Sequence, residues 1–540
     1  MITSISCYNE KKLSGFDASI YQAINGHERR FIMEKLFYKV IYDKRLKRSM
    51  TILEILYKSK HEVTIKDLER MLGVSKSTVV TTLNFTKTII PETMSLLIDE
   101  NNVKLYNEDD QSIDIIIIEI AKNTRTFQVL EHAFLEKGLN IHQLADKLFS
   151  SESTIRSRIR HINQTLKDFG CSLSYYDVKF VGDEANIRYF AYTYFSEFQE
   201  FYQHVWEKEL EYCYAIYRNM EKIYQKHNNR LMNFSHSQII RWLTITKDRV
   251  KNDNFVQIDE QFKARISKRQ SYQEIKKIYE NEITNHLQKT NIPEDESIWA
   301  YVVSFNTVIY LPDDNRDLYY EEKDNEPYQE NILEIIKTMA DILEINIEDR
   351  ANFYAVHQAY FTNTALLTKI SPMFQMGSSD INKYVTDNLG SLYDTWVVCL
   401  SELDEEAIFP VFNIHSLAAQ LAMISGQFTY TKKPQAKKIV YSFEGEAGFT
   451  AYLETLAKTL LPSGVEGIFI HSESITNNLL DQIKPDIVVF NYSLPEKIID
   501  YKVLRMSYIP EIQEWTLLKE LIINLDFSYS NKKKLLFKRD

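Results

Sequence analysis

The chain has 540 residues, of which 44% are hydrophobic and 26% are charged. This composition excludes a largely disordered protein, because disorder needs low hydrophobicity and high net charge. Only 13 glycines and 11 prolines interrupt the chain, so long helices are favoured. Four cysteines without a CxxC pair exclude a disulfide scaffold, and no apolar run approaches the roughly 20 residues of a membrane span. We predict a multidomain, mainly α-helical protein of the cytoplasm that holds no metal and no cofactor.

The net charge of −11 at pH 7 argues at first against a nucleic-acid ligand, but the charge is unevenly distributed. Residues 1–170 contain 25 lysines and arginines against 22 aspartates and glutamates, a net charge of +3. The remaining residues carry −14. The two ends of the chain are therefore expected to contact different classes of partner.

A repeat with an offset of 76 residues occupies the first third of the chain. Residues 75–83 (SKSTVVTTL) and 151–159 (SESTIRSRI) share the pattern S-x-S-T-[VI]-x-x-x-[LI], and residues 65–74 match 141–150. In each copy a short helix and a tight turn lead to a serine that can cap the next helix, where apolar residues continue at helical spacing. This is the pattern of a helix-turn-helix. One copy alone would fit an ordinary helical hairpin, but two copies in register favour tandem DNA-binding modules.

Each copy is followed by a predicted β-hairpin, the wing of a winged helix-turn-helix. The strands are predicted at 96–98 and 103–106 in the first copy and at 173–176 and 178–181 in the second, because β-rich runs there flank polar turns. A helical extension precedes them, and its basic run KRLKR is expected to be a solvated helix end. The extension and the two winged modules are predicted at 1–48, 49–110 and 111–185.

The polar face of the second helix in each copy supplies the predicted DNA contacts. Arginine binds guanine or phosphate through two N–H groups, whereas serine, threonine and asparagine make weaker hydrogen bonds. The candidates in the first copy are Lys76, Ser77, Thr81, Asn84 and Lys87. The second copy is more basic, and its candidates are Ser153, Arg156, Ser157, Arg158 and Arg160.

Two further kinds of domain are predicted beyond the repeat. Residues 186–295 and 296–430 have aromatic residues at three- and four-residue spacing, which indicates two packed helical bundles. Residues 435–540 alternate between strand and helix patterns, which is typical of a small α/β sheet. The strands predicted there are 438–442, 467–471 and 486–490, and the helices are 447–461, 474–484 and 512–525.

Residues of the second copy also carry a family resemblance. They resemble the DNA-binding region of Mga-type transcription regulators, the phosphotransferase-regulated virulence regulators of low-GC Gram-positive bacteria. The matching segments are LA at 144–145, STI at 153–155, FG at 169–170, GDE at 182–184 and IRYF at 187–190. The resemblance is specific over residues 50–190 and rests on domain order elsewhere. It implies that the two helical bundles are phosphotransferase regulation (PRD-like) domains and that the C-terminal domain is similar to a sugar-transporter IIB component.

The resemblance also implies a regulatory chemistry. Regulation domains of this kind accept a phosphoryl group on histidine from the phosphocarrier protein, which makes His204 and His357 the phosphorylation candidates, although a histidine among aromatic residues is also ordinary packing. Residues 248–254 contain no histidine where many such domains have a second one. The loop at 442–445 lacks the cysteine that catalytic IIB domains phosphorylate, and this absence favours a dimerisation or sensing role.

These patterns predict a sequence-specific transcription regulator, expected to be an activator, that binds double-stranded promoter DNA. It is expected to form a homodimer or higher oligomer through its C-terminal domains and to be a partner of the phosphocarrier protein. Two alternatives stay open. One is an RNA-binding antiterminator with the same regulatory domains, which would need a short β-rich head. The other is a DNA-binding head fused to a small-molecule enzyme; no P-loop, HExxH, GxSxG or zinc-ligand motif is present, so we predict that the chain is not an enzyme.

Overall fold

A computed structural model of the chain describes most residues between 35 and 528. The described ranges are 35–59, 62–99, 101–107, 112–135, 138–198, 210–228, 234–310, 328–377, 379–401, 409–430, 437–444, 447–460, 465–471, 474–492, 494, 496–510 and 512–528. Two compact units are present. Unit 1 takes the residues up to Ala215 with Ile240–Gln257 and Glu280–Glu296, and unit 2 takes the rest. The described residues are mainly helical with small sheets, as predicted, and contain no helix long and apolar enough to cross a bilayer.

The first winged module lies in unit 1. Its elements are α1 (Leu36–Val40), α2 (Lys44–Lys58), β1 (Val63–Thr64), α3 (Ile65–Leu72), α4 (Lys76–Thr86), β2 (Met94–Asp99) and β3 (Asn102–Asn107). Helix α3 begins with a capping box, in which Thr64 and Asp67 each bind the other's backbone N–H at 3.1 Å. Strands β2 and β3 pair antiparallel, which confirms the predicted hairpin. Leu68 and Leu83 are fully buried in a core beneath this hairpin.

The second module repeats this construction. Its elements are α5 (Ile113–Lys122), α6 (Arg125–Leu135), α7 (Ile141–Lys147), α8 (Glu152–Leu166), β4 (Cys171–Leu173), β5 (Phe180–Gly182) and α9 (Glu184–Ser196). Asn140 and Gln143 form the capping box of α7, 76 residues after Thr64 and Asp67. The equivalent cap confirms that the repeat is structural, because it fixes the same helix start in both copies.

The wing of the second module differs from the prediction of strands at 173–176 and 178–181. Strand β4 ends at Leu173, and the Ser174 N–H donates to the Lys179 carbonyl at 2.9 Å across the intervening loop. Val178 has φ +47°, a left-handed conformation that an extended strand cannot contain. Asn163 of α8 holds this short wing, because its side chain donates to the Leu173 carbonyl at 3.0 Å and accepts from the Leu173 N–H at 2.7 Å.

Five further helices lie in the described residues between 210 and 304. They are α10 (Leu210–Asn228), α11 (His236–Lys251), α12 (Glu260–Ile266), α13 (Gln270–Leu287) and α14 (Glu294–Ser304). The domain boundaries predicted after residues 48, 185 and 295 fall inside α2, α9 and α14. Those helices therefore begin before the domains that were predicted to contain them.

A buried charge network joins α9 to later segments of unit 1. Arg188 is fully buried and donates to both carboxylate oxygens of Glu296, at 2.8 and 2.9 Å, and to Glu184 at 3.0 Å. Arg249 donates to both carboxylate oxygens of Glu184, each at 2.9 Å. The Val256 N–H donates to Glu296 at 2.9 Å. Two guanidinium groups and two carboxylates thus neutralise one another, which is the condition for burying charge.

Unit 2 contains a helical core built from residues after 330. Its helices are α15 (Tyr328–Ile342), α16 (Ile347–Ile370), α17 (Ser379–Asn388), α18 (Gly390–Ser401) and α19 (Ile414–Tyr430). His357 is fully buried in this core, and its Nδ1 donates to the Phe353 carbonyl at 2.8 Å. Its Nε2 therefore accepts from the Ser425 hydroxyl at 2.9 Å, and Ser425 Oγ accepts from Trp396 Nε1 at 2.9 Å. Burial lowers the pKa of His357 to about 4.

A small α/β domain ends the chain, as predicted. Its elements are β6 (Lys437–Ser442), α20 (Ala447–Leu460), β7 (Val465–Phe469), α21 (Asn477–Ile483), β8 (Ile487–Phe490), β9 (Lys502–Arg505) and α22 (Ile512–Ser528). The sheet is parallel with the order β7-β6-β8-β9. Strand β9 was not predicted, because its sequence KVLR exposes three of its four residues and lacks the apolar run of β8.

We expect Arg188→Ala to lower the free energy of unfolding of unit 1 by about 3–5 kcal/mol, because it leaves the buried carboxylate of Glu296 without its partner. Arg70→Ala is the matched control within unit 1, since Arg70 is 60% exposed and pairs with Asp67 at the surface; its loss should stay below about 1 kcal/mol. Urea titration followed by circular dichroism measures both. Equal losses in the two variants would contradict a structural role for the buried pair.

We expect His357 to make the stability of unit 2 depend on pH. Its pKa is lowered to about 4 from its ordinary 6.5, so the unfolded chain binds a proton first as the pH falls between these values. Stability should decline over that window, by a contribution on the order of 3 kcal/mol. The difference between wild type and His357→Gln in thermal unfolding across the window measures this contribution. A pH profile that His357→Gln leaves unchanged, or that the exposed control His415→Gln alters equally, would contradict it.

Candidate nucleic-acid interface

Helices α4 and α8 begin with the same serine cap. Ser75 Oγ accepts from the Thr78 N–H at 3.4 Å, and Ser151 Oγ accepts from the Thr154 N–H at 3.2 Å. The hydroxyl of Ser153 lies 2.8 Å from that of Ser151. The cap directs the first turn of each helix, and an exposed helix start is where a helix-turn-helix protein contacts base edges.

Helix α8 carries a basic face next to its wing. Ser153 and Arg160 are exposed, and Arg156 and Ser157 are partly exposed. Arg156 donates from Nη1 to the Tyr175 carbonyl of the wing loop at 3.4 Å. This bond holds the guanidinium between helix and wing, the two elements that straddle a groove edge in winged modules.

Arg158 does not join Arg156 and Arg160. Two residues of an α-helix span about 200°, so Arg158 lies on the other flank of α8 from Arg156. Its guanidinium is 5.5 Å from the ring centre of Tyr42, and burial lowers its pKa, with the nearby charge of Arg125 acting in the same direction. The equivalent position in the first copy is Thr82, which is 1% exposed. Comparison of the two copies therefore separates this position from the other predicted DNA contacts.

The candidates of the first copy share one surface. All five are exposed on α4 or at its end, namely Lys76, Ser77, Thr81, Asn84 and Lys87. Thr81 Oγ1 donates to the Ser77 carbonyl at 2.8 Å, which leaves its oxygen lone pairs toward solvent. Asn84 occupies the position that Arg160 holds in the second copy, so the first copy presents a neutral centre where the second presents a cation.

The wing of the second module adds residues that the sequence reading missed. Tyr175 and Tyr176 are exposed in the loop between β4 and β5, Tyr176 by 68%. Lys179 closes the loop and is exposed as well. The sequence contained a signal for these residues, because two adjacent tyrosines lie at the end of the first predicted strand of a wing that follows a basic helix.

The turn before the recognition helix differs between the copies. Gly73 ends α3 with φ +63°, and Phe149 occupies the equivalent position with φ +47°. Glycine adopts this left-handed conformation freely, whereas another residue loses roughly 1–2 kcal/mol in it. Phe149 is also 91% exposed. Strained backbone of this kind is concentrated at functional sites, so an exposed aromatic residue in this turn indicates a site of contact with a ligand or another molecule.

The structure describes only one of the two predicted phosphorylation sites. His204 lies outside the described residues. His357 is in the core of unit 2, with both ring nitrogens hydrogen-bonded. His415 is exposed at the start of α19, where Nδ1 lies 2.7 Å from the Tyr393 hydroxyl. Among the described residues, no three His, Cys, Asp or Glu side chains form a group that could hold a metal ion.

Comparison with known proteins matches the second module and most of the chain. The model of the Mga helix-turn-helix domain matches residues 109–195. A protein of Streptococcus pneumoniae serotype 4, named as a trans-acting regulator, is 22% identical over 477 residues, which cover 84% of this chain and 93% of the relative.

Two proteins of Bacillus anthracis are also similar. The capsule synthesis positive regulator AcpA is 22% identical over 470 residues, covering 83% of this chain and 93% of AcpA. The capsule synthesis positive regulator AcpB is 25% identical over 146 residues, covering 27% of this chain and 30% of AcpB. These matches confirm the resemblance predicted from the sequence. The chain is accordingly a transcription regulator whose second module resembles the Mga helix-turn-helix domain and which is similar to named regulators over most of its length.

Proposed function

We propose that this regulator binds double-stranded promoter DNA through α8 and the wing of its second module and activates transcription. The observation that carries the proposal is the bond from Arg156 to the wing carbonyl of Tyr175, with Arg160 exposed one helical turn further on. Arginine on a recognition helix is the usual reader of guanine. Activation is supported by the two relatives whose names describe positive regulators.

The first module supports binding in a different way. Its exposed face offers hydroxyl and amide groups without an arginine, so it is suited to weak contacts with bases and backbone. We propose that it extends the footprint while the second module supplies most of the affinity. The RNA-binding antiterminator loses support, because it would need a short β-rich head, whereas the described residues of the N-terminal region form two winged modules. The enzyme alternative also has a DNA-binding head, and it is disfavoured by the lack of P-loop, HExxH, GxSxG and zinc-ligand motifs in the sequence.

We expect Arg160→Gln to weaken specific DNA binding by about 1–3 kcal/mol, because it removes a bidentate contact to guanine. Duplexes selected from a random library by the wild-type chain provide the target, and gel shift measures the affinity. Asn84→Ala, at the equivalent position of the first copy, is the matched control and should cost less, as should Lys87→Ala.

The double variant Arg156→Gln, Arg160→Gln gives the decisive comparison. If it remains folded and binds the selected duplex as tightly as wild type, the second module does not contact DNA. If hairpin RNA of the same sequence competes better than the duplex, the antiterminator reading replaces the proposal.

Dimerisation through the C-terminal domain is part of the proposal. Strand β9 lies at the edge of the parallel sheet, and apolar residues near it are exposed, among them Ile499, Val503 and Ile509. An open edge with exposed apolar side chains favours pairing with another chain. Two chains would then contact two half-sites of a promoter, as symmetric DNA-binding dimers do.

Regulation by the sugar phosphotransferase system is the last element of the proposal. Phosphohistidine adds negative charge and three hydrogen-bond acceptors, which change helix docking where they enter a packed surface. His204 is the first candidate. His357 would have to leave its bonds with Phe353 and Ser425 before it could react, so its phosphorylation would require local opening of unit 2.

We expect the phosphocarrier protein, charged from phosphoenolpyruvate, to label the full chain and to lose that ability with His204→Ala. Labelling should survive His357→Gln, because a buried neutral imidazole with both nitrogens bonded is a poor acceptor. Mass spectrometry of the phosphopeptides measures the sites, and His415→Ala is the control at an exposed imidazole. Labelling that persists in His204→Ala and disappears in His357→Gln would transfer the switch to the buried histidine.

A further inference from the structure

A cavity of about 780 Å³ lies in unit 1 on the Arg158 side of α8. Its wall includes apolar side chains from several elements, among them Ile41, Leu46, Ile89 and Ile116. This volume is within the range of about 300–1,000 Å³ found for small-molecule sites. Half of the lining residues are polar or charged, so the cavity offers a ligand both apolar surface and polar groups.

Two guanidinium groups face this cavity without a carboxylate partner. Arg125 and Arg158 both line it, and neither forms an ion pair with any residue that the structure describes. Arg125 Nε donates to the Leu148 carbonyl at 3.0 Å, whereas Arg158 Nε is buried with no hydrogen-bond partner. Burial, and after it the charge of Arg125, lower the pKa of Arg158, and the charge of Asp43 offsets them only in part. A bound anion would relieve both effects, since it supplies the missing countercharge and acceptor.

The acidic residues of the cavity supply only part of that countercharge, since the charge of Asp43 raises the pKa of Arg158 by less than burial and Arg125 lower it. Asp43 lines the wall, but one of its carboxylate oxygens accepts the backbone N–H groups of Arg45 and Leu46, at 2.8 and 3.1 Å, at the start of α2. Glu119 also lines the cavity and is exposed to solvent. Lys147 also lines the cavity, so three cationic side chains stand against two anionic ones there.

Phe149 provides a second, independent observation. It lines the cavity, is 91% exposed and holds a left-handed backbone conformation, where the first copy has Gly73. An apolar body inside the cavity would give this ring a surface to cover. The same turn connects α7 to α8, so a ligand beneath Phe149 would contact the segment that orients the recognition helix.

We propose that this cavity binds a small organic anion, a carboxylate or phosphate ester with an apolar body, held by Arg125 and Arg158 and covered by Phe149. Binding itself does not depend on the proposed DNA contacts. Its consequence does: because Arg158 belongs to α8, occupancy changes the position of the face that carries Arg156 and Arg160, and with it the affinity for DNA.

Isothermal titration of the full chain with phenyl phosphate tests the proposal in the absence of DNA. Inorganic phosphate and phenol are the matched half-probes, since each keeps only the charge or only the apolar body. We expect saturable binding of phenyl phosphate at one site and at least tenfold weaker binding of either half. Arg158→Gln and Arg125→Gln should each weaken binding at least tenfold, and Arg160→Gln should leave it unchanged.

Arg125 is exposed, so Arg125→Gln keeps the test valid if Arg158→Gln fails to fold. The proposal is overturned if phenyl phosphate does not bind saturably at millimolar concentration, or if Arg160→Gln weakens its binding as much as Arg125→Gln does. It is also overturned if Arg125→Gln leaves phenyl phosphate binding intact and weakens DNA binding as much as Arg160→Gln, because the cavity would then be a contact for the DNA backbone.

Discussion

The paired bonds between Arg188 and Glu296 hold together segments of unit 1 that lie far apart in the sequence. Residues 108 positions apart meet there in full burial, and the network extends through Glu184 to Arg249. Burying a guanidinium costs free energy unless its N–H groups are hydrogen-bonded. We therefore expect the four side chains of the network to become ordered together. The helix that closes the second winged module is thereby fixed to segments after residue 240. Arg249 of α11 and Glu296 of α14 thus contact α9 directly, so a displacement of either residue would break bonds to α9.

Much of the architecture follows from the sequence because the repeat carries local chemistry. The capping boxes at Thr64 and Asn140 and the serine caps at Ser75 and Ser151 are short-range signals, and each fixes a helix start. The apolar strands β6 and β8 are equally visible as runs of buried residues. What escaped prediction depends on distant partners. Strand β9 has no apolar run. The boundary predicted after residue 185 falls inside α9, because Arg188 of that helix bonds to Glu296, which lies far away in the sequence.

Arg158 lies between these cases. Counted as a charge, it belongs with Arg156 and Arg160, and the sequence pattern alone groups the three. Counted by helical phase, it belongs with the flank next to the core, as Thr82 does in the first copy. The repeat thus gives information that composition does not. Because equivalent positions of the two copies have similar surroundings, burial of a residue in one copy indicates which side of the helix its equivalent occupies in the other. The same comparison identifies Phe149 as a departure, since the first copy satisfies the turn with glycine.

The charge of the chain limits how it can bind DNA. Each phosphate neutralised by a lysine or arginine contributes about 0.9 to the slope of log affinity against log salt, and the exposed face of α8 has few such groups. One module alone is therefore expected to bind DNA with modest affinity and a weak salt dependence. The acidic remainder of the chain cannot add to that affinity. A useful affinity then requires several modules to bind at once, because linked sites multiply their equilibrium constants without new contacts. Two modules within each chain and two chains in the proposed dimer would satisfy that requirement, and they would explain how a protein with a net charge of −11 binds a polyanion.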